Sequence, residues 1–141
     1  MEKKMILLIE DNPDDRDLTL RALKRSQIPR EVIIAKDGVQ ALQLLHDAGQ
    51  SEPLPDLVLL DLKLPRLDGH TVLSRIRRHQ RTRYIPVVVL SSSDEQSDVR
   101  KSYDLGANGY IQKPVDFDQF MEAVRQLNTY WLEWNLVPAG G

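Results

Sequence analysis

Five short apolar runs, each followed by a turn and a helix-length amphipathic stretch, constrain this chain more than any other feature. The runs are MILLIE (5–10), EVIIA (31–35), DLVLLD (56–61), PVVVLS (86–91) and GYIQK (109–113). The middle runs are continuously apolar rather than alternating, the pattern of parallel strands covered on both faces. Between the runs, Gly38, Ala41, Leu42 and Leu45 follow i, i+3, i+4, i+7 spacing, as do Phe117, Phe120, Met121 and Val124. Asp14, Asp37, Asp68, Asp94 and Asp116 each stand near a helix start, where a carboxylate can cap free N–H groups. Strand and helix alternating five times predicts an α/β fold, an open, doubly wound sheet of five parallel strands with five helices. Right-handed crossovers leave the C-terminal ends of all the strands on one edge. Ligands in such folds bind at that edge, near the point where the strand order reverses.

The bulk composition narrows the functional classes. A chain of 141 residues, 41% hydrophobic and 28% charged, fits one globular domain. No apolar run approaches the ~20 residues a membrane helix needs, and the N-terminal apolar segment is too short for a signal peptide. Cysteine is absent, which excludes disulfides and thiolate metal sites and fits a cytoplasmic protein. The net charge of -2 offers no global attraction to nucleic acid. The basic run RIRRHQRTR (75–83) has no interleaved aromatics, so it reads as a solvated face or a partner contact, not a nucleic-acid site. His46, His70 and His79 lack metal-ligand spacing and read as surface or loop residues.

The polar residues that end the strands carry the chemistry. The first run ends in Glu10 and Asp11, the third in Asp61, the fourth in Ser91 and Ser92, and the fifth in Lys113, followed by Pro114. In the strand order 2-1-3-4-5, the first, third and fourth strands are neighbours, so these groups can converge. Three clustered carboxylates repel one another and call for a counter-ion. All-oxygen ligation by few protein groups suits Mg²⁺, which keeps several waters and seeks phosphate oxygens. One carboxylate, acting as nucleophile, could take a phosphoryl group as an aspartyl phosphate. Lys113 and the metal would neutralise developing charge while Ser91 donates to a phosphoryl oxygen. Asp14, Asp15 and Asp17 read as decoration of the first turns of helix 1, favoured there by the helix dipole.

In order and at suitable spacing, IEDN, LLDLKLPRLDG, VVVLSSS and GYIQKP make the chain resemble the receiver domain of two-component response regulators, from about Lys4 to about Leu127. The resemblance implies a flavodoxin-like fold with a receiver unit at 1–127 and an extension of helix 5 and tail at 128–141. It implies that Asp61 is phosphoacceptor and metal ligand, that Glu10 and Asp11 also bind Mg²⁺, and that the backbone carbonyl of Lys63 completes the protein's share of the metal site. Ser91 matches the switch hydroxyl, Tyr110 the switch aromatic and Lys113 the phosphate-pairing lysine; the Lys113–Pro114 bond is usually cis in the family. Lys63 and Ser93, each two residues beyond a site residue, stand at positions that tune dephosphorylation.

The function so implied is a signalling switch and not an enzyme: a histidine kinase phosphorylates Asp61, and the changed surface alters protein–protein contacts. With no output domain after the receiver, the output is expected to be protein contact or onward phosphate transfer. Two rivals are an aspartate-nucleophile phosphatase, which would carry D-x-D at the end of the first strand, and a binding module that is never phosphorylated. The ending YWLEWNLVP (130–138) resembles that of stand-alone receivers paired with bacterial and cyanobacterial phytochrome kinases. If helix 5 runs from Val115 to Trp134, its ~30 Å outruns a strand of ~20 Å. Leu127, Tyr130, Trp131 and Trp134 would then form an exposed stripe and make helix 5 and the arm a homodimer interface.

Overall fold

The computed structural model describes residues 4–25, 30–47, 53–113 and 116–138. Five parallel strands, β1 (Lys4–Ile9), β2 (Arg30–Ala35), β3 (Leu57–Leu60), β4 (Val87–Ser91) and β5 (Gly109–Gln112), form one sheet in the order β2-β1-β3-β4-β5. The helices are α1 (Pro13–Lys24), α2 (Gly38–Leu42), α3 (Gly69–Arg78), α4 (Gln96–Asp104) and α5 (Phe117–Thr129). Short π-helical turns extend α2 through Gln43–Asp47 and α5 through Tyr130–Trp134. This is the open, doubly wound sheet that the alternating runs predict, and the flavodoxin-like fold that the resemblance implies.

The strands lie where they do because both faces of the sheet are dry. Successive side chains of a strand point to opposite faces. Leu7, Ile9, Val58, Leu60, Val87 and Val89 accordingly join a core with Val72, Leu73 and Ile76 of α3. Ile6, Leu8, Leu57, Leu59, Val88 and Leu90 join the opposite core with α1 and α5. All four residues of β3 and all five of β4 are buried, which is why their sequences do not alternate.

Capping follows the expected aspartates at three of five helices. Asp37, Asp68 and Asp116 accept from the backbone N–H groups of Gln40, Thr71 and Gln119. At α1 the cap is Asn12 instead, with Pro13 at the first helical position, so Asp14 stands inside the first turn. At α4 the N-cap position is Glu95, whose side chain makes no capping bond. Of the two amphipathic stripes, Ala41, Leu45, Phe120, Met121 and Val124 are buried, whereas Phe117 stays exposed.

The end of α5 departs from the simple stripe. Leu127 is buried, Trp131 packs against the α1–α5 core, and Leu132 is 3% exposed within it. Trp131 and Leu132 continue the α-helical period of the buried face, Trp131 four residues after Leu127 and Leu132 four after the buried Asn128; the π turn closes the helix beyond them, where the Asn135 N–H bonds to the Tyr130 carbonyl. Tyr130, Trp134, Leu136 and Val137 remain exposed. Val115, the expected first residue of helix 5, and the Lys113–Pro114 bond involve positions outside the described residues.

Candidate phosphoryl-acceptor site

Parallel strands bring their carboxyl ends to one rim, and the reversal of strand order between β1 and β3 opens a crevice there. Glu10 and Asp11 follow β1, Asp61 follows β3, Ser91 ends β4 and Lys113 follows β5. Glu10, Asp61, Ser91 and Lys113 are buried, whereas Asp11 is exposed at the mouth. Carboxylate oxygens of Glu10, Asp11 and Asp61 lie within 4.8 Å of one another, close enough to share a metal ion. Backbone bonds hold the rim together. The N–H of Glu10 bonds to the Ala35 carbonyl, that of Asp61 to Ile9 and that of Lys113 to Ser91. Gly69 is required for close approach, since a Cβ there would collide with the Asp61 carbonyl oxygen.

The Lys113 ammonium donates to Glu10, stands 3.1 Å from Asp15 and lies 3.4 Å from Asp61. Burial works to lower its pKa, but the hydrogen bond to Glu10 and the charges of Asp61 and Glu10 outweigh it and raise the pKa. Glu10 moves the other way from an ordinary ion-paired acid. Burial pushes it up to about 7, more than Lys113 draws it down, and the Asp61 charge adds to the rise. A site this acidic and this dry fits a small oxygen-seeking divalent cation.

The Glu10 shift has a measurable consequence. An acid whose pKa is raised by folding binds its proton more tightly in the native than in the unfolded state. In metal-free buffer its contribution to stability is complete below about 4.5 and disappears as the pH rises to about 7. Thermal melts in EDTA across that window should show the loss, and Glu10→Gln should flatten it. An equal slope in that variant would remove Glu10 as its source.

Other expected site residues fall at varied distances from the cluster. Ser91 accepts from the Ser93 N–H at 3.1 Å, and the Tyr110 hydroxyl donates to the Ser93 carbonyl at 2.8 Å. Tyr110 is half-buried against the α3-side core. Lys63 is exposed, and the ammonium that pairs with Glu10 is Lys113. Tyr130 and Trp134 lie on the exposed arm, with Tyr130 edge-on to the half-buried Trp131 at 4.9 Å. Asp15, read from the sequence as decoration of helix 1, instead pairs with the Lys113 ammonium at the rim. It lies in the first turn of α1, which starts two residues after Asp11, and that nearness in sequence to the rim was the available signal. Arg16, unmarked in the sequence, donates to the Glu10 and Asp11 carbonyls.

Residues 6–125 match the family described as the response regulator receiver domain. The chain belongs to the response regulator receiver family. It is 43% identical over 136 residues to the probable methanogenesis regulatory protein FilR2 of Methanothrix harundinacea, covering 95% of this chain and 87% of that protein. It is 41% identical over 138 residues to the response regulator Rcp1 of Synechocystis sp., covering 96% and 94%. The Mn²⁺-bound form of Rcp1 superposes with a TM-score of 0.87 at 40% identity, over 96% of this chain and 99% of that one. The phosphorylated cyanobacterial phytochrome response regulator RcpA superposes with a TM-score of 0.89 at 39% identity, over 98% and 100%. The protein is thus a response regulator receiver that works in phosphoacceptor signalling with a histidine kinase, through a site that takes a divalent cation. Among the described residues no helix is long and apolar enough to cross a membrane.

Proposed function

We propose that Asp61 accepts the phosphoryl group, with Mg²⁺ held by Glu10, Asp11, Asp61 and the backbone carbonyl of Lys63. The observation that carries this reading is the convergence of the three carboxylates within 4.8 Å, with the Lys113 ammonium 3.4 Å from Asp61. An Asp61 oxygen forms the new bond to phosphorus as the bond from phosphorus to the kinase histidine nitrogen breaks. Lys113 stabilises the charge on the phosphoryl oxygens and the Ser91 hydroxyl donates to one of them. A bound Mg²⁺ supplies further neutralisation of those oxygens. Ser91 then draws on the loop that Tyr110 contacts, and the face of α4, β5 and α5 changes its preference for partners.

The output is altered protein contact in the cytoplasm, with no direct role for nucleic acid or membrane. The ending YWLEW and the likeness to RcpA support a phytochrome-type histidine kinase as partner. Residues 128–141 serve as a dimerisation arm, supported by the exposure of Tyr130, Trp134, Leu136 and Val137, with Trp131 packed beside them. A phosphatase reading is weaker because the residue two beyond the nucleophile, where an acid/base aspartate would sit, is the exposed Lys63. Incubation with acetyl phosphate and Mg²⁺ should give stoichiometric, slowly lost acyl phosphate, and EDTA should suppress it to background. Rapid phosphate turnover would favour the phosphatase, and no uptake would favour a binding module that is never phosphorylated.

A further inference from the structure

Helix α4 touches the phosphoryl-acceptor site by two separate chains of contacts. Its Asp98 and Ser102 are four residues apart and share one face. At the first, the Ser93 hydroxyl donates to the Asp98 carboxylate at 2.7 Å and accepts from the Glu95 N–H at 3.2 Å. Ser93 thereby ties the N–H of the N-cap residue and a carboxylate of the first helical turn to the loop before α4. The same residue gives its N–H to the Ser91 oxygen and its carbonyl to the Tyr110 hydroxyl. At the second, the His70 Nε2 lies 3.0 Å from the hydroxyl of Ser102, which is fully buried. The Ser102 hydroxyl hydrogen is already directed at the Asp98 carbonyl, 2.8 Å away. A serine has one hydrogen to give, so His70 must be the donor, with its proton on Nε2. His70 directly follows Gly69, whose Cα is packed against the Asp61 carbonyl. The histidine expected on the surface is therefore half-buried between α3 and α4.

We propose that these contacts form a two-point clamp, Ser93 on Asp98 and His70 on Ser102, which moves α4 when Asp61 is phosphorylated. His70 and Asp98 are positioning residues in it. The clamp rests on Asp61 as acceptor and adds a path to α4 that does not pass through the Tyr110 ring. Ser91 displaces the Ser93 loop, and the turn behind Asp61 displaces the start of α3. Because Asp98 and Ser102 share a rigid helical face, both displacements reach the same helix.

The test uses the full chain labelled with 3-fluorotyrosine, which reports Tyr103 on α4 and Tyr110 on β5 separately by ¹⁹F NMR, each assigned by its Phe variant. Acetyl phosphate and Mg²⁺ are added, and occupancy of Asp61 is followed in parallel by mass spectrometry. In the wild-type chain the Tyr103 resonance should shift on phosphorylation. His70→Ala and Asp98→Ala should take up phosphate normally yet lose most of the Tyr103 shift while keeping that of Tyr110. His70→Gln and Asp98→Asn, which retain a donor and an acceptor respectively, should restore it. A full Tyr103 shift in both alanine variants, or no Tyr103 response in phosphorylated wild type, overturns the clamp. A clamp-dependent Tyr103 shift with a silent Tyr110 would support the clamp and defeat the tyrosine switch.

Discussion

Asp61→Asn is expected to reduce phosphoryl uptake from acetyl phosphate to background while the protein stays folded. The amide has the shape of the carboxylate but is a poor nucleophile, so the step that forms the acyl phosphate is lost. The fold should tolerate the change for an electrostatic reason. Lys113 keeps its contacts with Glu10 and Asp15. Loss of the Asp61 charge also removes one of the neighbours that push the Glu10 pKa up. Metal-free protein should therefore melt no lower than wild type, since like-charge repulsion at the rim is reduced. Intact-protein mass spectrometry and a thermal melt in EDTA read the two halves of the result. Uptake equal to wild type would move the acceptor elsewhere, and a collapsed melt would mean that Asp61 is structural.

The parts of this molecule legible in the sequence are those in which one-dimensional spacing has a single three-dimensional meaning. Val87 to Ser91 could only be a strand buried on both faces, and parallel connection then fixed which end of it met the ends of β1 and β3. Glu10, Asp61, Ser91 and Lys113 followed from that edge. What could not be read were contacts set by packing between elements. The reach of Lys113 to Asp15 depends on how α1 sits over β5, and the reach of His70 to Ser102 depends on how α3 meets α4. Trp131 and Leu132 illustrate a different failure. The stripe read from Leu127 through Tyr130 and Trp134 treated the arm as a fresh face, whereas the buried face of α5 continues by steps of four from Leu127 and Asn128 to Trp131 and Leu132.

That geometry decides how the proposed dimer should be tested. Removing everything after Asn128 would delete Leu132, which is 3% exposed and packed on the α1–α5 core. Loss of a buried leucine costs about 2–5 kcal/mol, so a truncated chain could lose its fold before its partner. Tyr130 and Trp134 are better probes because they are 51% and 73% exposed and anchor little of the domain itself. In a two-fold assembly every substitution acts twice. With Trp or Tyr as an interface anchor worth about 2 kcal/mol, Trp134→Ser alone should weaken the dimer by about 4 kcal/mol, roughly a thousandfold in Kd. The full-length chain should then be a dimer by light scattering at micromolar concentration, and the Trp134→Ser chain a monomer with an unchanged melt in dilute solution. Phosphoryl uptake at Asp61 should persist in the monomer, because the rim at the strand ends draws on no residue of the arm. If the full-length chain is monomeric with and without phosphate, the exposed aromatics serve another partner and the homodimer is wrong.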